Sequence, residues 1–387
     1  MSVLITKFPN VVSSVRNPIG IKLQCDPNWD TFDDYYLAIV IKYEKVFRSG
    51  TFETLISTRA TPDENGVVEI DISGDLEAVV NNDQPNTSLS GGAVCQRIQR
   101  RYQFTFSEYQ NGVSQGTYNG SYYFAVNSGF KFRTGQELYN WVFDYKALTH
   151  APRTRDITIN FVGWMYFCVN ANTSSVDLNA TITYDDDTTE NVTLFSLSGV
   201  AQWDIVYFPV GYQQTGMHTK AKQVKSYEFW LEDDGSNEIS DHHIYQLRRK
   251  CTSLDRYYVF ENSLGGFDTL HTRGVAKAKD LTESKRVSLY VGPFYTLLDR
   301  QEKIYNTLNQ HMVEQTVGLV KKTEMIWLRD LFRSEWAFRI GDIYPQLEHS
   351  TELVPIEIDK GSTDLFEDNV FLSEPKFTYT DDKGRGI

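Results

Sequence analysis

The chain has 387 residues, which is longer than a single hydrophobic core usually grows, so two or three domains are expected. Its formal net charge of −13 argues against direct nucleic-acid binding, because proteins that neutralise phosphates present a basic face. Aromatic residues make up 14% of the chain, and they interleave with Val, Ile and Thr as in half-buried strands. The composition therefore predicts a mainly β protein.

The first part of the chain carries the signature of antiparallel strands. Residues 17–25 alternate apolar and polar side chains, which is typical of a strand with one buried face. Asn-Gly pairs at 65–66 and 111–112 each precede or separate alternating segments, as in tight hairpin turns. We therefore predict an N-terminal β-sandwich over residues 1–132.

A second set of hairpins follows residue 150. One is predicted around the acidic turn at 185–188, and another where an alternating strand at 227–231 runs into the acidic segment 233–238. These patterns predict a central β-sandwich over residues 133–265. Within it, residues 133–148 fit a helix or a strand equally well, and we interpret them as a connector.

The C-terminal third combines strands with one helix. Residues 323–333 have helical apolar spacing, with Thr323 as N-cap, Glu324 in the first turn and Arg333 in the last turn. Strands are predicted around 287–291, 354–358 and 377–379, and Pro355 favours an edge position for its strand. We predict a small β-barrel or sandwich carrying one α-helix over residues 266–380, followed by a flexible tail at 381–387.

Cysteine usage and hydropathy bear on the cellular environment. Cys25, Cys95, Cys168 and Cys251 are widely spaced without a CxxC pair, which favours reduced, buried thiols. No segment approaches the roughly 20 apolar residues of a membrane helix, and the first residues lack a signal-peptide core. We expect a protein that is made in the cytoplasm and does not insert into membranes.

The motifs of catalysis and metal binding are not found in this sequence. There is no GxSxG or HExxH pattern, and the adjacent His242 and His243 would point to opposite faces of a strand. The two acidic segments suit turns better than calcium sites, since neither follows the EF-hand spacing. We therefore predict a protein that is not an enzyme, with no catalytic residues, metal or cofactor.

The most distinctive segment is an aromatic strand that runs into Asn-Ser-Leu-Gly-Gly-Phe-Asp at residues 262–268. Gly265 and Gly266 permit a positive φ and a close backbone approach. No lysine or helix signal follows, so the segment is not a phosphate-binding loop. We interpret it as a tight corner between two domains, with an exposed hairpin tip as the alternative.

Together with the later segment T-E-x-x-W-L at 323–328 and the strand V-P-I-E-I at 354–358, this motif resembles virion proteins of tailed phages and prophages of Bacteroidetes. The resemblance covers about residues 220–380. It implies a structural component of a tail, baseplate or neck that assembles as a ring or sleeve with itself and with other virion proteins. Synthesis in the bacterial host cytoplasm and localisation in the virion follow. The expected structural and assembly residues are Asn262, Gly265, Gly266, Phe267, Asp268, Trp327 and Leu328.

Two other functions compete with this interpretation. A carbohydrate-binding adhesion module at a tail tip would stack exposed aromatics such as Trp141 or Trp203 on sugar rings. A polysaccharide-degrading enzyme would need close carboxylates in a groove. The basic clusters at 97–101 and 248–250 are expected to be strand edges or partner-facing ion-pair sites.

Overall fold

The structure is a computed structural model that describes residues 3–88, 90–130, 136–250, 254–289, 302–321, 324–341, 352–359 and 372–381. The predicted fold class is confirmed: the chain is mainly β, and most of its strand pairs are antiparallel. The chain forms two compact units, one of Met1–Arg249 with Glu261–Asp268, and one of Lys250–Phe260 with Thr269–Ile387.

The first unit contains seventeen of the described strands and two short helices. In chain order they are β1 (Leu4–Lys7), β2 (Val12–Ser14), β3 (Gly20–Gln24), β4 (Tyr35–Glu44), β5 (Phe52–Ala60), β6 (Val67–Asp71), α1 (Ser73–Glu77), β7 (Ala93–Val94), β8 (Gln99–Gln110), β9 (Val113–Asn119), β10 (Tyr123–Val126), α2 (Leu138–Phe143), β11 (Thr154–Thr158), β12 (Trp164–Cys168), β13 (Ser175–Tyr184), β14 (Thr189–Ser198), β15 (Ile205–Pro209), β16 (Val224–Asp233) and β17 (His243–Arg248).

An N-terminal sandwich is built from two sheets, ordered β1-β3-β6 and β2-β10-β8-β4-β5 with β9 paired to β8. The predicted alternation at 17–25 is confirmed, because Ile21 and Leu23 of β3 point into the core and pack with the buried faces of β4 and β8. Each such side chain stabilises the fold by about 1.5–3 kcal/mol. Both Asn-Gly turns are confirmed as well, with positive φ at Gly66, Asn111 and Gly112.

A second pair of sheets is ordered β11-β17-β16-β13-β14 and β12-β15-β7. The predicted hairpin over 185–188 is confirmed as the antiparallel pair β13 and β14. Strands β12 and β15 are buried on both faces, which explains why their sequences are continuously apolar. Phe208 of β15 lies 6.5 Å from Phe195 of β14, while Tyr166 and Tyr207 stack on the opposite face at 5.1 Å.

The division into compact units differs from the three segments expected from the sequence. The expected boundary at 132 falls inside the first unit. One reason is β7, which pairs with β15 through Val94 and Val206 although the two strands belong to different predicted domains. A two-residue strand has no periodicity that a sequence pattern can reveal. Helix α2 lies in the segment 133–148 that was left open.

The second unit contains β18 (Arg256–Glu261), β19 (Phe267–Thr272), β20 (Ala276–Ser288), β21 (Glu302–Thr316), β22 (Val320–Lys321), α3 (Met325–Arg333), β23 (Ala337–Ile340), β24 (Leu353–Ile358), β25 (Leu372–Ser373) and β26 (Lys376–Asp381). Seven strands form one sheet in the order β19-β18-β23-β24-β26-β21-β20, and β22 pairs with β25. The adjoining ends of β18 and β19, within Glu261–Asp268, belong to the first unit.

Several predicted details of this region change. Helix α3 begins at Met325, so Glu324 occupies the N-cap instead of the first turn, and Thr323 lies outside the described residues. Arg333 is in the last turn as predicted. The edge position predicted for β24 is wrong, because β24 lies between β23 and β26.

The sheet accommodates Pro355 because β24 is paired on only one side at that residue. Pairing of β24 with β26 starts only at Ile356, whereas Pro355 is matched with Phe338 of β23. Only one side of the strand is therefore paired at the proline, which cannot donate a ladder hydrogen bond. The first residue of the predicted tail, Asp381, belongs to β26 instead and pairs with Ile356 of β24, and residues 382–387 lie outside the described residues.

Candidate functional site

The distinctive segment 262–268 contains a buried hairpin turn between β18 and β19. Asn262 organises it: the side-chain oxygen accepts from the backbone N–H groups of Leu264 at 2.9 Å and Gly266 at 3.1 Å. Its side-chain NH₂ donates to the carbonyl of Leu148 at 2.8 Å. The backbone N–H of Asn262 also donates to the carbonyl of Gly266 at 2.9 Å. One side chain thus closes the turn and ties it to another part of the first unit.

The two glycines of the turn are constrained for different reasons. Gly265 has φ +95°, and a Cβ there would lie 2.8 Å from the carbonyl oxygen of Asn127. Gly266 has an ordinary φ, but a Cβ there would lie 2.9 Å from Cγ of Tyr166. Gly265 therefore meets a conformational and a steric requirement, and Gly266 a steric one.

The residues flanking the turn make polar contacts of their own inside the first unit. Buried Glu261 accepts from Arg16 at 2.7 Å and from the side-chain NH₂ of Asn82 at 3.1 Å. Asp268 accepts from the hydroxyl of Thr149 at 2.8 Å. Phe267 is buried, with its ring centroid 6.3 Å from that of Tyr166. These contacts describe a buried turn, and the alternative of an exposed hairpin tip is wrong.

Trp327 and Leu328 lie on helix α3 in the second unit, whereas the turn belongs to the first unit. Leu328 is fully buried, and Trp327 is buried with its ring 6.0 Å from that of Phe260. Met325 and Leu331 complete the buried face of α3. Both predicted residues therefore serve the core of the second unit.

The adjacent histidines have separate environments. His242 is half-buried, stacks on Trp230 at 4.7 Å and lies between Glu228 at 2.9 Å and Glu238 at 3.3 Å. His243 is buried, with Nε2 3.3 Å from Asp241. Hydrogen bonding to His243 and to the N–H of Ala147, with the charge of Arg153, outweighs burial and lowers the pKa of Asp241. The two rings therefore face different partners.

Both acidic segments use their carboxylates to close turns, and the first also pairs with lysine side chains. Asp186 accepts from both the N–H and the hydroxyl of Thr188 and pairs with Lys222 at 2.7 Å, so its pKa is lowered to about 2. Asp233 accepts from the N–H groups of Gly235 at 2.9 Å and Asn237 at 2.8 Å. These contacts are those expected of Asx turns.

The basic clusters make ion pairs within the chain. Arg101 binds Glu44, Arg248 binds Asp156 and Arg249 binds Asp185. These three arginines therefore have acidic partners within the chain, and the expectation of strand edges or partner-facing ion-pair sites stays a prediction. Sequence reasoning did not find the carboxylates because each is distant along the chain.

The most buried of these pairs belongs to a polar clamp that the sequence did not signal. We define the clamp as Glu44, Arg48, Gly50, Arg101 and Asp204. Glu44 is 0% exposed and accepts from Arg101 at 2.7 Å, from the N–H of Arg48 at 2.8 Å and from the N–H of Gly50 at 2.6 Å. The Arg48 side chain reaches Asp204 at 3.1 Å, with φ +63° at Arg48. The clamp connects the two pairs of sheets of the first unit.

The aromatic residues proposed for sugar stacking are partly covered. The indole N–H of Trp141 donates to the carbonyl of Ala147 at 2.9 Å, and Lys146 lies over the ring at 4.9 Å. Trp203 has φ +71° and lies 6.1 Å from Tyr139, which in turn stacks on Phe143 at 5.9 Å. A short aromatic row formed by Trp203, Tyr139 and the exposed Phe143 is therefore present.

Three cysteines of the described chain, Cys25, Cys95 and Cys168, are free and buried, as predicted, and Cys251 lies outside the described residues. Burial raises the pKa of the Cys168 thiol to about 12. Within the described ranges, no group of three His, Cys, Asp or Glu side chains is arranged to hold a metal ion. The helices described here are also too short and polar to cross a membrane. Comparison with protein-family models and with curated proteins finds no match to this sequence.

Proposed function

We propose that this chain is a non-enzymatic structural subunit that assembles as repeated copies in the tail, baseplate or neck of a phage particle. The proposal combines the resemblance of residues 220–380 to virion proteins with one feature of the sheets. Three sheets end in long strands whose outer edges are unpaired in the described structure, namely β5, β14 and β20.

Long unpaired edges are unusual in soluble monomers, because their N–H and C=O groups invite pairing with other chains. Here β5 has nine residues, β14 has ten and β20 has thirteen. In a particle, such edges can pair with strands of neighbouring copies or of other virion proteins. This feature supports assembly more than it supports a solitary enzyme or binding module.

The test is to purify particles and locate the chain in them. Quantitative mass spectrometry should find several copies per particle, and a cryo-electron microscopy map should place them in a ring or sleeve. The interfaces should exceed about 2,000 Å² in total per subunit, as in permanent assemblies. Particles that lack the chain, or that hold one copy with small wet contacts, would contradict the proposal.

We propose further that the subunit needs neither metal nor cofactor. The polar groups that could have served chemistry are engaged in turns and ion pairs, as at Asp186, Asp233 and Glu44. Elemental analysis of the purified protein should therefore find no stoichiometric zinc or calcium. A stoichiometric metal that survives dialysis against a chelator would contradict this part of the proposal.

A second candidate function rests on the aromatic row. Trp203 and Tyr139 adjoin Phe143, which is 59% exposed, so the row offers a stacking surface for a sugar at a tail tip. Binding of host surface polysaccharide that is lost in Phe143→Ala would favour this adhesion module. Phe8→Ala, at another exposed aromatic, serves as the control.

A further inference from the structure

The hairpin β20–β21 continues well beyond the sheet to which it belongs. Strands β20 and β21 pair along their whole length, from Ala276 with Gln315 to Ser288 with Glu302. Pairing of β21 with β26 covers only Met312 to Thr316. In residues 280–288 and 302–311, which we call the arm, no third strand joins the hairpin among the described residues. At about 3.3 Å per residue the arm is roughly 30 Å long.

The described side chains toward the end of the arm, at 284–288 and 302–305, are all exposed, and so is Leu289 directly after β20. Several are apolar: Val287 is 42% exposed, Leu289 45%, Ile304 50% and Tyr305 64%. Residues that are paired directly across two strands share a face, so Arg286 and Ile304 lie on one face and Val287 and Lys303 on the other. Apolar side chains are therefore presented on both faces.

A two-stranded ribbon of this kind gains little stability by itself. Isolated hairpins are marginal in water, and exposed apolar strand edges are an aggregation hazard that natural proteins normally blunt. The register shift between Lys285 and Arg286 leaves Tyr305 as an extra residue in β21, and such bulges are common at sheet edges, where they change the direction of a side chain. The arm therefore has the features of a docking element.

From these observations, and resting on the proposed function, we infer that the arm docks on a second copy of this chain. The area is sufficient: a ribbon roughly 30 Å long and 10 Å wide has about 300 Å² on each face. If two copies exchange their arms and both faces of each arm are buried, the arms contribute about 1,200 Å² and the surfaces that they cover contribute as much again. The total of about 2,400 Å² exceeds the area of a standard stable interface, which is about 1,600 Å².

Charge balance and free strand edges favour a second copy as the occupant. The arm carries three Lys or Arg against three Asp or Glu, so it has no net charge, whereas the whole chain has a net charge of −13. The remainder of a second copy is therefore acidic, and a neutral arm can approach it without net charge repulsion. A second copy also offers its own long edges, and β20 can pair with an edge strand across a two-fold axis.

The test compares the full-length protein with the double variant Ile304→Glu/Tyr305→Glu. Val113→Glu is the matched control, since Val113 is an exposed apolar residue on a different hairpin. Sedimentation velocity over a range of concentrations should show self-association of the wild type, weakened at least about tenfold in the double variant and unchanged in the control. At concentrations low enough for all three proteins to be monomeric, they should share the same thermal transition, because the substituted side chains are exposed.

Hydrogen exchange provides a second measurement. The backbone N–H groups of residues 280–288 should become more protected as the wild-type protein is concentrated, and not in the double variant. An oligomer that is unaffected by the double variant would overturn the inference and leave the repeated-copy function in place. A wild type that stays monomeric would also overturn it, and the composition of purified particles would then decide the proposed function separately.

Discussion

Gly265 and Gly266 are adjacent residues that tolerate a side chain poorly for different physical reasons. At Gly265 the positive φ alone costs about 1 kcal/mol for a residue with a Cβ. The same Cβ also collides with the carbonyl of Asn127. At Gly266 the backbone is ordinary, and the obstacle is the ring of Tyr166. Because the turn is buried, a substitution there acts on the stability of the first unit.

We predict that Gly265→Ala destabilises the first unit by about 2–4 kcal/mol and Gly266→Ala by about 1–3 kcal/mol, because each adds a buried clash and Gly265 also has a positive φ. Denaturant unfolding of the purified protein measures the change. Gly112→Ala is the control for Gly265, since Gly112 has φ +78° with open space around it. Gly74→Ala is the control for Gly266, with neither a positive φ nor a neighbour.

The controls separate strain from collision. Gly112→Ala should cost about 1 kcal/mol from the positive φ alone, and Gly74→Ala should cost almost nothing. If Gly266→Ala were as harmless as Gly74→Ala, the close packing of the turn on Tyr166 would be refuted. Gly266→Val should then be incorporated into particles normally, and the turn would have no geometric role in assembly.

At the scale of elements, helix α3 illustrates how a sequence pattern becomes a core. Its apolar spacing places Met325, Leu328 and Leu331 on the buried face, while Arg329 is exposed. The N-cap is Glu324, without a side-chain capping bond. The helix is therefore held mainly by burial of its apolar face and only weakly by its start signal.

We predict that Leu328→Ala destabilises the second unit by about 2–5 kcal/mol, because it leaves a cavity in a fully buried site. Hydrogen exchange should accelerate in peptides from 269–289 and 324–341 of the second unit, while peptides from 3–88 in the first unit keep their rates. Arg329→Ala, one residue along the helix, should change exchange in neither unit. Equal acceleration throughout the chain would indicate that the two units unfold as one.

At the scale of the molecule, the first unit is held together by polar contacts between segments that are far apart in sequence. The clamp around Glu44 connects β4 to Asp204 beside β15, and Arg16 reaches Glu261 in the buried turn. Burial would raise the pKa of Glu44, but hydrogen bonds from Arg101 and from the N–H groups of Gly50 and Arg48 outweigh it and lower the pKa.

The clamp predicts a specific dependence of stability on pH. Since the folded pKa of Glu44 lies below its unfolded value of about 4.3, its contribution is present above that pH and is lost as the pH falls through the folded pKa. Glu44→Gln should therefore destabilise the protein at neutral pH by about 3 kcal/mol. Its stability should also decline less steeply than that of the wild type in acid. Unfolding in denaturant from neutral pH to below pH 4 measures both effects.

Glu53→Gln is the matched control, because Glu53 makes an exposed ion pair with Lys45 on a neighbouring strand. Exposed pairs contribute at most about 1 kcal/mol, so this variant should follow the wild type in acid. Parallel acid curves for Glu44→Gln and the wild type would rule out the clamp as an acid-labile contact.

The local elements were predictable because their signals are local. Alternation in β3, the Asn-Gly turns before β6 and after β8, and the apolar stripe of α3 each lie within a few residues of the structure that they specify. The mainly β class, the first two sets of hairpins and the buried thiols followed from such patterns and from composition. The position of the Pro355 strand inside its sheet could not be predicted from such patterns, because strand order in a sheet depends on partners elsewhere in the chain.

Amino-acid sequence alone thus determined which segments become strands, turns and helix, since backbone preference and apolar periodicity act over short distances. Tertiary structure decided which segments share a unit. Val94 meets Val206, Glu44 meets Arg101, and the turn at 262–268 is buried in the first unit. These contacts join residues that are distant along the chain, and no periodicity records them. Their energy comes from burial and from charges that neutralise one another only when the chain is folded.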